Sequence, residues 1–583
     1  MPRWKHTLPS GWASCGARLR AASDSSRCAC PIPCSLEDTM RHRLLLSLCL
    51  SFAFLSAPIQ AIAAPGDVVA KFPSPSRRPT GLVFDGKSLW TADRTSGLLY
   101  ELNPADGKVI RTLTAPSPYI EGLAFAEGCL WAMDPEARRI YRLNPTTGIT
   151  ENDFPVKLSD PQGLAFDGKF LWVADAQKGL LDQISTEDGT RINRLVAPSG
   201  GSYGLTFDGA YLWVADRLDD KLYMVEPKTG DVIVTLDSPG KFPRGLAFDG
   251  KHLWNVDYQS NTLYKLVRDD DTKFVRTDGK KQRLEFVQRV RNYGPGLMTS
   301  ADIHLAIPRN LPCQQLLAAP RFAPTPTDVL TDQWGQETAH YRFRDVAPGE
   351  EIETSMVVDA ELFTVRYFLF PEKAGTLGDI PEEIKNRYLD DGSKFWVDDP
   401  FMRKTAKQVV GNEQNCYWIA RKLLDHVSSQ IKYNLDGVWD IAPTVLKQGH
   451  GSCSEYSFVY IALCRAAGLP ARYVGSVVVR DDDASTDAVY HRWPEVYLPH
   501  YGWVPIDPSS GRGIFKKPVD KANVIGYRKN KYLITTIGGG GSSSLRWEYN
   551  ADASWQYKGP CNVESKRYGE WEPLEVKEQP KKE

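Results

Sequence analysis

Gly163-Leu164-Ala165-Phe166-Asp167-Gly168-Lys169-Phe170-Leu171-Trp172-Val173-Ala174-Asp175 decides the fold of the first half of the chain, because its pattern returns at a fixed step. Gly-Leu-x-Phe starts at Gly81, Gly122, Gly163, Gly204 and Gly245, each 41 residues after the last. Trp90, Trp131, Trp172, Trp213 and Trp254 keep the step, as do Asp93, Asp134, Asp175, Asp216 and Asp257. A period near 40 fits either a four-stranded propeller blade or a two-helix repeat. Each copy reads as short strand-like runs, such as Leu171 to Asp175 and Val232 to Leu236, broken by Asp-Gly and Asn-Pro turns. No copy holds a helical pattern, so composition favours the propeller.

Closure of the ring is legible as well. Asp67-Val68-Val69 stands 164 residues, four periods, before Asp231-Val232-Ile233. An extra outer strand therefore precedes the first copy, while the last copy, ending at Lys265-Leu266, lacks one. The N-terminal strand is expected to complete the last blade and cover its open edge. Residues 67–268 read as a five-bladed β-propeller. The repeated Trp fits a ligand surface or packing between blades, and packing is the expectation. The repeated Asp is expected to cap backbone N–H groups rather than bind metal. Ala126-Glu127-Gly128 replaces Asp-Gly in the second copy and predicts an altered turn. The unit resembles NHL-like and glutamine-cyclotransferase-like propeller repeats. The copied residues are those of the blade, and cyclotransferase chemistry would need acidic groups gathered at the central mouth.

The whole chain of 583 residues is long enough for about four domains. Lys plus Arg number 71 against 72 for Asp plus Glu, a net charge of -1 that gives no reason to expect nucleic acid as a partner. Met40-Arg41-His42-Arg43, the apolar run Leu44 to Leu55, and Ala61-Ile62-Ala63 follow the basic, apolar, small-residue order of a secretory signal peptide. The expectation is an exported protein, periplasmic or secreted, with a leader over 40–63 and no membrane span after its removal. Residues 1–39, with Cys15, Cys28, Cys30 and Cys34, precede that leader and read as a start assigned too early or a disordered segment; their Cys spacing lacks the paired CxxC of a zinc site. The later cysteines, Cys129, Cys313, Cys416, Cys453, Cys464 and Cys561, are too dispersed for a disulfide scaffold, leaving room for one or two bridges.

Residues 275–372 alternate apolar and polar residues between Pro- and Gly-rich breaks and read as an independent β-sandwich. His304 and His340 fall in strands and are expected as packed or surface groups. From about Asp379 the pattern turns helical. Ser454 to Ala467 is apolar at helical spacing and stops at Gly468-Leu469-Pro470, which puts Cys453 at a helix N-terminus. Partial positive charge there favours a thiolate. His491 opens a strand-like run, Tyr490 to Leu498, and Asp507 closes another, Trp503 to Asp507. Cysteine on a helix, then histidine and acid on successive strands, is the composition of a nucleophile, a base and an orienting group. Inert burial is the other reading of a cysteine in an apolar segment, and it is the one expected of Cys464.

Gly451-x-Cys453, Leu463-Cys464-Arg465-Ala466-x-Gly468-Leu469-Pro470-Ala471-Arg472, His491-x-Trp493-x-Glu495-Val496-Tyr497 and Gly502-Trp503-Val504-x-Ile506-Asp507-Pro508 together resemble the transglutaminase-like superfamily, over about residues 375–515 of a domain drawn at 375–540. The resemblance implies a papain-like α+β fold with Cys453 as nucleophile, His491 as base and Asp507 as orienter, needing no cofactor. It implies attack on amide bonds of peptides or proteins through a thioester. Hydrolysis by a cysteine protease or amidase is the main expectation; acyl transfer to amines is one alternative, and a silent scaffold acting through its propeller is another. Arg492-Trp493-Pro494 departs from the family's usual Ala-Trp. Gln448 and Tyr433 are candidates for a second oxyanion donor, and His450 reads as a loop residue. Asp481-Asp482-Asp483 with Asp487 reads as a solvated hairpin loop, without the ligand pattern of an EF-hand. Gly538 to Ser544 reads as flexible, and 541–583 as a returning strand and a charged, disordered tail. The propeller is expected to bind substrate, a protein partner or an envelope component.

Overall fold

A computed structural model describes residues 64–435, 439–480, 484–510 and 517–574. The leader, the segment before it with its four cysteines, Asp481 to Asp483 and the last nine residues of the tail lie outside the described residues.

The repeat folds as five four-stranded antiparallel sheets among the described residues. Strand Val68–Pro73 pairs antiparallel with Thr262–Val267 and becomes the outer strand of the last sheet, as the displaced copy predicted. The glycine at the head of each copy is set by how closely neighbouring blades approach. A Cβ on Gly204 would lie 1.7 Å from the Arg244 carbonyl oxygen, and one on Gly245 would lie 2.5 Å from that of Thr80, where the last copy meets the first. The repeated tryptophans are buried between blades. Their indole N–H donates to the turn aspartate, Trp172 to Asp167 and Trp213 to Asp208 at 2.8 Å, Trp254 to Asp249 at 2.9 Å and Trp90 to Asp85 at 2.7 Å. Where Ala126 replaces that aspartate, Trp131 reaches only the Ala126 carbonyl, at 3.4 Å, and Glu127 takes a φ of 53°. The second repeated aspartate caps backbone: Asp216 accepts from the N–H groups of Leu218, Asp219 and Gly201.

The region expected as an independent sandwich is a nine-stranded sheet, counted over the described residues, that draws on four separated parts of the chain. Its spine is the 33-residue strand Phe274–Ala306. One edge of the spine pairs with Glu351–Tyr367 and then Glu337–Val346, the other with Ala551–Pro573. The boundary at 372 therefore fails for a physical reason: without the C-terminal strand, the edge from Gln282 to Leu305 would carry unpaired backbone groups. That strand runs past Glu570, so the expected tail begins as sheet.

Between these segments, helices Pro400–Val410, Cys416–Gln430 and Ala442–Gln448 surround helix Cys453–Ala466, which is buried from Cys453 to Arg465. It packs on a four-stranded antiparallel sheet ordered Gly502–Pro505, His491–Leu498, Ala471–Val478, Tyr532–Gly538. The Gly-rich run expected to be flexible is packed: a Cβ on Gly539 would lie 2.5 Å from the Trp334 ring, whose N–H donates to Gly541 O at 3.2 Å. The propeller is tied to this domain through Arg421, which donates to Val232 O at 3.1 Å, and through Lys521, which lies 2.7 Å from both Asp231 and Asp425. Among the described residues, no helix is long and apolar enough to cross a membrane.

Gly204→Ala is expected to lower stability by about 2 kcal/mol or more, since an added methyl meets backbone that cannot yield. Gly200→Ala, with nothing within 4 Å of its Cβ, is expected to leave stability nearly unchanged. Urea denaturation of both variants checks the difference.

Candidate active site

The site is assembled from the helix start outward. Ser452 caps helix Cys453–Ala466, accepting from Ser454 N–H at 3.3 Å, while Glu455 reaches back to the Ser452 N–H at 2.9 Å. This reciprocal cap fixes the first turn and places Cys453 at its first position. The thiol is buried, 5% exposed, so the helix terminus and its neighbours set its charge more than solvent does.

His491 starts its strand directly after Tyr490, whose φ of 62° lies in the left-handed region that an aromatic side chain rarely adopts. Asp487 holds that turn, accepting from Tyr490 N–H at 3.0 Å, Val478 N–H at 2.8 Å and Arg480 Nε at 2.8 Å. Asp487 is thus a buried anchor, not part of a solvated loop. Glu495 pairs with Pro505 on the neighbouring strand, and this register brings Asp507 back to His491. His491 Nε2 donates to Asp507 Oδ2 at 2.8 Å. Asp507 also accepts from the hydroxyls of Ser509 at 2.7 Å and Ser510 at 2.6 Å. The imidazole packs against both Trp493 and Tyr532, with ring centroids at 5.6 and 5.7 Å, and those two rings meet edge-on at 5.3 Å. With Nε2 engaged by Asp507, Nδ1 is the nitrogen left to act on the Cys453 thiol, with which the imidazole is electrostatically coupled.

The charges are coupled along this line. Burial alone would raise the Asp507 carboxyl; the His491 charge and hydrogen bond, then Arg528 and Ser510, hold it well below the usual carboxylate range. Burial would lower His491, but the Asp507 charge and hydrogen bond, with a smaller contribution from Cys453, push it up to about 9. Burial would raise the Cys453 thiol, and the His491 hydrogen bond and charge, with the Arg492 backbone N–H and charge, bring it below its ordinary value. A lowered thiol beside a raised imidazole favours transfer of the thiol proton to the imidazole.

All three residues singled out in the sequence therefore meet. Arg492, where the motif departs from the family's usual Ala, is buried: its guanidinium lies among the rings of Tyr549, Tyr473, Trp439 and Phe458, 4.3 to 5.2 Å from their centroids. Gln448 is exposed at the end of its helix, and Tyr433 pairs with Gly451 on a short parallel bridge. His450 is exposed in the same bridge. Cys464 is buried and its thiol pushed up, consistent with an inert packing role. Cys129, Cys313, Cys416, Cys453, Cys464 and Cys561 are free thiols, so the bridges left open do not form among the described residues. Sequence reading missed Ser509 and Ser510, which only the fold brings onto Asp507. It also missed the helix cap, although Ser452-x-x-Glu455 before an apolar run is a legible capping signal.

Residues 403–508 match the transglutaminase-like superfamily. The chain carries a transglutaminase-like domain. A curated relative, the uncharacterized protein YebA of Bacillus subtilis, is 32% identical over 71 residues, 10% of each chain, so the match spans about a tenth of that protein. Among solved structures, a candidate cysteine protease from Cytophaga hutchinsonii is 14% identical over 53% of this chain and 95% of its own, with a TM-score of 0.38. Glutaminyl cyclase from Myxococcus xanthus is 14% identical over 34% of this chain and 94% of its own, with a TM-score of 0.31. Virginiamycin B lyase from Staphylococcus aureus is 14% identical over 34% and 98%, with a TM-score of 0.26. The triad candidates Cys453 and Asp507 stand within the matched transglutaminase-like span, with His491 between them.

Cys453 should be alkylated by iodoacetamide at a rate that stays high well below pH 8, because its thiolate forms below the ordinary thiol range. The rate should rise again near pH 9 as the imidazolium loses its proton. His491→Ala should remove the low-pH reactivity, and Cys453→Ala supplies the blank.

Proposed function

We propose that this chain is an exported thiol enzyme that attacks amide bonds of peptides or proteins with Cys453, His491 and Asp507. The observation carrying this reading is the buried line from thiol to imidazole to carboxylate, closed by the 2.8 Å His491–Asp507 hydrogen bond. Cys453 Sγ attacks the carbonyl carbon, and the His491 imidazolium gives its Nδ1 proton to the amine as the C–N bond breaks, leaving a thioester. Asp507 keeps Nε2 protonated, so the reactive nitrogen is always the one facing sulfur. This reading assigns the Cys453 backbone N–H, at the first position of its helix, to the tetrahedral oxyanion. Water then attacks the thioester, His491 takes its proton, and the thiolate leaves.

Hydrolysis is preferred to transfer because water needs no dedicated acceptor site. The propeller serves as the binding module, and the leader-like order at Met40 to Ala63 supports action in the periplasm or outside the cell. The test uses protein recovered from outside the expressing cells, where this reading expects an N-terminus at Ala64. Incubation with casein and a labelled primary amine should yield new carboxyl groups without amine incorporation. Cys453→Ala and His491→Ala should each lower turnover by about a thousandfold or more. Amine incorporation as the main product would instead assign a transglutaminase, and turnover surviving Cys453→Ala would overturn the reading.

A further inference from the structure

The propeller repeat varies at two positions where its blade residues stay constant. The residue before the repeated Gly is Thr80, Glu121, Gln162, Tyr203 or Arg244, and the one after the second repeated Asp is Arg94, Pro135, Ala176, Arg217 or Tyr258. The first position opens the inner strand of a blade and the second follows its neighbour. In an antiparallel pair both therefore lie at the same end of the ring. Eight of these ten residues line one cavity of about 680 Å³ at that end. Packing makes the same demand of every blade, whereas a single ligand makes a different demand of each. The divergence of these positions inside an otherwise copied unit marks the mouth as a binding surface.

Its chemistry is specific. Glu121 forms a buried floor, held by Arg94 and Arg244 at 2.9 Å each. Arg244 also reaches Gln162 Oε1 at 3.3 Å, yet its buried Nε has no hydrogen-bond partner. The guanidinium groups of Arg217 and Arg244 lie 4.2 and 4.6 Å from the Tyr203 ring centroid. Among the described residues neither Arg217 nor Arg138, also on the cavity wall, is paired with a carboxylate. Four arginines against Glu121, Glu136 and Asp160 leave a surplus of one positive charge. That balance suits a singly charged, planar anion that a guanidinium fork can grip. A dianion would be brought within reach of three carboxylates.

We propose that the propeller mouth binds a peptide through one carboxylate, taken by Arg217 and Arg138, with the peptide backbone lying against Tyr203 and donating to Asp160. This site stands apart from Cys453 and does not rest on the enzymatic reading. The test is calorimetric titration of the full-length protein carrying C453A, so that no probe is turned over. The probes are acetyl-tetraalanine with a free C-terminus, acetyl-Ala-Ala-Glu-Ala-amide, its Gln counterpart, and inorganic phosphate. One of the two carboxylate peptides should bind, identifying a terminal or side-chain carboxylate, and the Gln peptide should not. Arg217→Gln and the exposed Arg138→Gln should each weaken binding by about tenfold with an unchanged melting temperature. Absence of binding by both carboxylate peptides, phosphate binding as tight as theirs, or binding indifferent to both substitutions would overturn the proposal.

Discussion

A carboxylate with 2% of its surface exposed and an imidazole that it grips at 2.8 Å are the constraint on which the site depends. An isolated charge at that depth would be costly, and the site answers by spreading the cost. Asp507 is satisfied by two serine hydroxyls and their backbone N–H groups as well as by His491. The imidazole, charged through that carboxylate, can then share its proton with Cys453. Without Asp507, burial would act with less opposition on both neighbours, favouring a neutral imidazole at His491 and a protonated thiol at Cys453. Asp507 thus acts on the cysteine only through His491, which stands between them.

The same constraint explains the architecture around it. The three groups come from a helix start, a strand start and a strand end, and each is pinned by its own local device. The Ser452–Glu455 cap sets Cys453, the Asp487 anchor under Tyr490 sets His491, and the sheet register sets Asp507. The large sheet contributes at a distance, because the C-terminal strand that completes its edge also pairs with Thr486–Asp487. The turn aiming His491 is therefore stitched to the spine strand through Ala551–Pro573. Arg421 and Lys521 fasten the propeller to the helical side of this domain, so the ring and the site are held in one frame.

Local patterns were legible where the physics is local. The 41-residue step exposed the blade, its packing tryptophan and its capping aspartate, and the displaced strand at Val68 exposed the closure, while the crowding at the repeated glycine appears only in the fold. Helix and strand signals placed Cys453, His491 and Asp507 on their elements, and the resemblance to the transglutaminase-like superfamily supplied their expected roles. What escaped was long-range pairing. Nothing near Phe274 announces that its strand takes a partner 271 residues beyond Tyr293, yet Tyr293 and Glu564 are hydrogen-bonded across that gap. The Gly-rich run near Gly539 looked flexible in composition because its packing partner, Trp334, lies far away in sequence. The buried Arg492 was visible as a departure from a motif, but its aromatic cage is assembled from four separate elements.

A Cys453 thiolate held by a charged His491 is the state on which the proposed chemistry rests. Its most direct measure is the ultraviolet absorbance of the thiolate, followed as pH rises, in wild-type protein minus Cys453→Ser. The account predicts that the difference signal is already present at neutral pH and disappears at neutral pH in Asp507→Asn, which leaves the imidazole uncharged. A difference signal that emerges only near pH 9, unchanged by Asp507→Asn, would show an ordinary thiol and contradict the account.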